Sequence, residues 1–124
     1  MRMLGVLILA AAAMRNCILA PSVCTAILKY GVNIAVVDSA TGSPPSEATL
    51  LVTSGSYTDS VGPRGPSQTT PPVLMLSTAG ERAGTYSVTV RSPGYRDWRR
   101  TGIRVTADEC HVKPVNLTAR LQPN

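Results

Sequence analysis

From Val32 to the C-terminus the chain alternates apolar and polar residues in short runs, each closed by a cluster of turn-forming residues. A period of two puts successive side chains on opposite faces of an extended backbone, so each run predicts a strand with one face in a core. Val32, Ile34 and Val36 share one face of the first run, and Asn33, Ala35 and Val37 share the other. Residues 38–45, DSATGSPP, then turn the chain, because Asp38 can bond its own backbone and Gly42 can adopt a positive φ. A second strand is predicted over residues 48–54 with Leu50 and Val52 together, and a short third over 56–61. The stretch GPRGPSQTTPP, residues 62–72, reads as a loop, since proline lacks the N–H that a ladder requires. Residues 73–77 predict a short strand with Leu74 and Leu76 on one face, and residues 79–84 a turn.

The cleanest run is GTYSVTVRSPGY, residues 84–95. Tyr86, Val88 and Val90 point inward, and a slip of one residue would bury Arg91, so the register is well specified. Pro93 and Gly94 end the strand at a corner. Tyr95 follows, and its hydroxyl is expected to find a backbone partner while the ring packs at the edge. The next strand is predicted over residues 102–107, with Ile103, Val105 and Ala107 alternating inward. The last strand carries Val115, Leu117, Ala119 and Leu121 on one face. Val112 has the wrong parity for this set, and Pro114 intervenes, so a bulge is expected near Lys113. Short strands separated by polar turns predict an antiparallel β-sandwich.

The chain has 124 residues, enough for one such domain. It contains no Phe and one Trp, so its core must be built from Val, Leu, Ile, Ala and Tyr. Ahead of the sandwich pattern, Arg2 precedes an uncharged run from Met3 to Met14. That is a signal-peptide pattern, too short for a bilayer span of about 20 residues. Residues 1–23 are therefore expected to be a signal or hydrophobic segment and 24–124 the domain, which implies export to the periplasm, cell envelope or exterior. Cys24 lies before the first strand and Cys110 before the last, so a bridge between them would close almost the whole domain. The alternatives are a lipid on Cys17 or Cys24, or a free Cys24 with Cys110 as a small apolar residue.

Three segments in order resemble the carboxypeptidase regulatory-like domains. They are VNIAVVDSATGSPPSEATLLV, RAGTYSVTVRSPGYRDW and the closing VNLTARLQP. The resemblance covers residues 30–123 and departs from the family pattern at 62–72. It implies a seven-stranded, antiparallel, Greek-key, prealbumin-like (transthyretin-like) sandwich. It also implies a non-catalytic module that stabilises or binds other components, here a protein or envelope partner.

Candidate chemistry is sparse. Asp108, Glu109, Cys110 and His111 offer ligand types, but consecutive residues point in alternating directions and do not converge on one ion. His111 is the only candidate base, and no G-x-S-x-G motif occurs. No metal, cofactor or catalytic residue is expected. The strongest surface feature is basic: Arg91, Arg96, Arg99, Arg100 and Arg104 crowd one hairpin, with Asp97 between them. They form a candidate anion-binding edge for an acidic glycan, lipid headgroups or nucleic acid. The alternative is that they keep an exposed hairpin soluble and guard its edge against pairing.

Overall fold

The computed structural model describes residues 23–124, all of it strands and connections. The expected signal segment and the possible lipid site at Cys17 lie outside these residues. Seven strands form: β1 (Tyr30–Asp38), β2 (Ala48–Ser54), β3 (Tyr57–Arg64), β4 (Met75–Gly80), β5 (Gly84–Arg91), β6 (Trp98–Val105) and β7 (Val115–Leu121). They make a three-stranded sheet in the order β4-β1-β7 and a four-stranded sheet in the order β3-β2-β5-β6. The alternating residues meet in one aliphatic core. Val32, Ile34 and Val36 of β1, Leu50 and Val52 of β2, and Tyr86, Val88 and Val90 of β5 are all buried. Leu76 of β4, Ile103 and Val105 of β6, and Ala119 and Leu121 of β7 join it, and the half-buried Tyr57 and Val61 of β3 pack against it.

The sheets are not wholly antiparallel. β1 and β7 run parallel, paired from Val32↔Val115 to Asp38↔Leu121. The chain leaves β6 in one sheet and enters β7 in the other, arriving beside β1 in the same direction. Parity along single strands cannot reveal that direction, because it reports faces and not neighbours.

Three other expectations change. β3 continues into the supposed loop as far as Arg64, which pairs with Ala48 beyond a register shift. Pro63 is tolerated there because β3 is an edge strand and needs no donor on its open side. Gly62 makes the bend with φ +102°, where an added Cβ would lie 2.7 Å from the carbonyl oxygen of Ala48. β4 is displaced toward the C-terminus: it starts at Met75 and runs through Thr78 to Ala79 and Gly80, the last two of which were expected to turn. Thr78 can enter the core because its hydroxyl donates to Asp59 Oδ2 at 2.7 Å, satisfying the buried group. Ala107 is exposed and lies outside β6, forming an isolated bridge with Val112. Val112 itself is buried. The parity break before β7 is thus a short separate bridge, with Lys113 N donating to the Thr106 carbonyl.

The corner at Pro93–Gly94 forms as expected, but Tyr95 uses a different partner. Its hydroxyl donates to Asp38 Oδ2 at 2.6 Å, a side chain in place of the expected backbone group. Asp38 Oδ1 meanwhile accepts from the Ala40 and Thr41 N–H groups at 2.7 and 3.0 Å. One carboxylate therefore shapes the β1–β2 turn and ties it to the β5–β6 turn in the opposite sheet. The Tyr95 bond, followed by those of Thr41 and Ala40, holds the Asp38 pKa below the usual carboxylate value.

Candidate functional site

The expected basic edge exists, but a bulge divides it. In the β5–β6 ladder Tyr86 faces Ile103, whereas Val88 faces Arg100, so β6 carries one extra residue between them. Gly102, at φ +70°, supplies the left-handed backbone within that irregularity. Directly opposed residues share a face. Arg104 opposes Thr85 and Arg99 opposes Thr89, which places both on the outer face. Arg100 opposes the core residue Val88, so it shares the inward parity of Trp98, which opposes Val90. As the sheet's edge strand, β6 leaves Arg100 exposed, and its guanidinium stacks 4.9 Å from the Trp98 ring centre.

Asp97 organises the turn end of the hairpin. Its Oδ2 accepts from Arg91 Nε and Arg99 Nη2, both at 3.2 Å. The two arginine side chains remain 56% and 65% exposed, so these pairs position the guanidinium groups and leave them open to solvent. Arg96 lies outside β6, in the turn before it, where its backbone N–H donates to the Gln122 carbonyl at 2.9 Å. Of the five candidate arginines, strand register brings Arg91, Arg99 and Arg104 to the outer face and gives Arg100 the inward parity, while Arg96 lies in the turn outside the ladder.

Toward the open end of the same hairpin lies a cluster that sequence reasoning did not assemble. Its anchor was legible in the sequence: Cys24 and Cys110 are joined by the expected disulfide. Beside it, Thr25 Oγ1 meets His111 Nε2 at 2.9 Å, and His111 Nδ1 meets Glu81 Oε2 at 2.5 Å. Glu81 also accepts from the Lys29 N–H and the Val112 N–H, each at 3.1 Å. When the ring is neutral with its proton on Nδ1, Nε2 accepts the Thr25 hydroxyl; when it is charged, both nitrogens donate. The bond from His111 is the largest influence lowering the Glu81 pKa, opposed by partial desolvation. Asp108 Oδ1 accepts from the Cys110 and His111 N–H groups, both at 2.8 Å, and these bonds lower its pKa.

The connectivity of Thr25, His111 and Glu81 is that of a proton relay, yet Glu81 also binds backbone groups of two separate segments. The arrangement clasps residues 24–29 to the β4–β5 turn and to the β6–β7 connection. An open cleft of about 490 Å³ lies over it, lined by Thr25, Ile27, Leu28, Glu81, Asp108 and His111, among others. A smaller apolar cleft of about 270 Å³ lies between the β1–β2 turn and the second proline cluster, walled by Val37, Pro44, Pro71, Pro72 and Leu74, among others. Beyond the disulfide, the one legible signal of the clasp was the Asp108 turn, since an Asp two and three residues before its bonded N–H groups is a local pattern. Glu81 and Thr25 are remote in sequence and carried no such signal. Among the described residues no group of three or more His, Cys, Asp or Glu side chains is arranged to hold a metal ion. No protein-family model and no curated protein matches the chain.

Proposed function

We propose that the chain is an exported, non-catalytic β-sandwich that acts as a structural or interaction module of the carboxypeptidase regulatory-like type. Greek-key, prealbumin-like connectivity and removal of the segment before Cys24 belong to the same proposal. The observation that carries it is the Cys24–Cys110 disulfide, which links the start of the domain to its last connection. Disulfides of this kind persist in oxidising compartments. They serve small domains whose ordering entropy nearly cancels burial. The same bond takes up the Cys24 sulfur and so opposes a lipid there. The side chains best suited to proton transfer, His111 and Glu81, are engaged in holding the N-terminal segment.

The test is the intact mass of the protein recovered from the envelope or medium of an expressing cell. The expected species lacks the hydrophobic segment and is lighter by two hydrogens than its reduced form. A full-length, reduced chain confined to the cytosol would defeat the proposal. A second reading is favoured by the three outward arginines: the module's partner is a polyanion bound at Arg91, Arg99 and Arg104.

A further inference from the structure

The polyanion reading names a charge and not a chemistry. The outer face of the four-stranded sheet supplies more. Register aligns its residues in rows across the strands. Ser60, Leu51, Thr89 and Arg99 form one row over β3, β2, β5 and β6. Thr58, Thr53 and Ser87 form a second, and Thr49 and Arg91 a third that ends at Asp97. The face is thus a field of hydroxyl groups around the half-buried Leu51, bounded on the β6 side by cations. A shallow depression of about 470 Å³ lies over β2 and β3, lined by Leu51, Thr53, Thr58 and Ser60, among others.

We propose that this face binds an acidic polysaccharide, with carboxylate or sulfate groups at Arg91, Arg99 and Arg104 and sugar hydroxyls along the Thr and Ser rows. The inference rests on the polyanion reading and adds the class of polymer. Charge complementarity selects an anion. The positions of Arg99 and Arg104 are about 13 Å apart along β6, allowing for the bulge, which suits anions repeated along a chain better than one small ion. The hydroxyl rows select a partner rich in hydrogen-bonding groups. A membrane would find no exposed large apolar side chain to insert from this face among the described residues, Leu51 being half-buried. The exposed large apolar residues, Ile27, Leu28, Tyr30, Val73 and Met75 among them, lie in the N-terminal segment and on or beside β1 and β4. Single-stranded nucleic acid calls for open aromatic platforms, whereas Trp98 is half-buried, shares the inward parity and stacks against Arg100. Two acids qualify the field at one end: Asp97, already bound, and exposed Glu47, whose carbonyl accepts Ser92 Oγ at 2.6 Å.

The experiment uses the disulfide-bonded protein as recovered from export, and titration calorimetry at low and high salt. The probes are polygalacturonate, heparin, neutral dextran, phosphatidylglycerol vesicles and random-sequence duplex DNA. Binding of polygalacturonate or heparin, weakened by salt, is expected, with dextran silent. Replacing Arg99 and Arg104 by Ala should lower that affinity by about tenfold per residue. Thr53→Val with Thr89→Val, which keeps shape and removes hydroxyls, should lower it by about fivefold. Arg120→Ala, on the other sheet, should leave it unchanged. Thermal melts of each variant report that the fold is retained. Equal or tighter binding of DNA or vesicles, or no loss in the Thr variants, overturns the polysaccharide inference while leaving the polyanion reading standing. Binding of none of the charged probes removes both.

Discussion

Removing the Cys24–Cys110 bridge by replacing both residues with Ser should cost this domain a large part of its stability. The two cysteines are separated by 86 residues. Closing a loop of that size in the unfolded chain corresponds to about 4.6 kcal/mol in the chain-entropy model at 25 °C. The native state recovers some of this when the bond is absent. Residues 23–30 are exposed, so without the disulfide their ordering depends on the contacts of Thr25 and Lys29 with His111 and Glu81. Each residue released returns roughly 1–2 kcal/mol of backbone entropy, offset by the contacts it loses. The expected net loss therefore lies between about 2 and 4.6 kcal/mol, the upper value applying if the clasp holds the segment alone.

Urea unfolding followed by Trp98 fluorescence and circular dichroism measures it. With a slope of about 1–1.5 kcal/mol per molar for a domain this small, the midpoint should fall by at least about 1.3 M. The slope itself should rise in the double variant, because the unlinked unfolded chain expands and exposes more surface. A double variant within about 0.5 kcal/mol of the oxidised protein, with an unchanged slope, would refute the argument that the bridge acts on the whole domain. It would mean that the bond secures only a detachable N-terminal tail.

Other consequences follow from single contacts. Tyr86 is fully buried, donates to the Arg82 carbonyl at 2.7 Å and accepts from Arg82 Nη1 at 3.0 Å; Tyr86→Phe should cost about 1–3 kcal/mol in chemical denaturation, leaving that carbonyl without its partner. Gly62→Ala should destabilise by more than about 1 kcal/mol, since Cβ would meet the Ala48 carbonyl at a positive φ, and a thermal melt checks it. Glu81, Asp38 and Asp108 all have folded pKa values lowered from ordinary values of 4.5, 3.8 and 3.8. Their stabilisation is present above those values and is lost as pH falls through the lower folded ones, so Tm should drop below about pH 4.5, less so in Glu81→Gln. Tyr95 is raised above its ordinary 10.0 by its bond to Asp38, so its contribution holds below pH 10 and fades above it; Tyr95→Phe should flatten the alkaline limb of the same profile.

How far the sequence carried the fold depends on whether a feature is local. Inward faces were legible wherever parity was unbroken: Val32 to Val36, Leu50 with Val52, and Tyr86 to Val90 are buried as the alternation requires. The extent of β4 was hidden because a polar Thr78 ends the apolar run, and only Asp59, on a different strand, supplies the partner that lets it be buried. Likewise β3 looked finished at Val61, because the cost of a strand proline depends on whether its open side has a neighbour. The parallel pairing of β1 with β7 is a relation between ends of the chain, which no window of sequence contains.

The same limit governs the candidate site. The arginines were visible as a cluster, but which of them act together depends on the one extra residue near Gly102. Counted by strict alternation from Ile103, Arg100 would face outward and Arg99 inward, the reverse of the observed faces. The bulge turns Arg99 to the side of Arg104 and lets Arg100 shield Trp98. Deleting Thr101 removes that extra residue and leaves Arg100 opposite Val88 and Arg99 opposite Thr89, so a variant that folds should keep the observed faces and its acidic-polymer binding. If such a variant folded but lost that binding, the outward placement of Arg99 beside Arg104 would not be what the polymer reads, and the geometry argued for this face would fail.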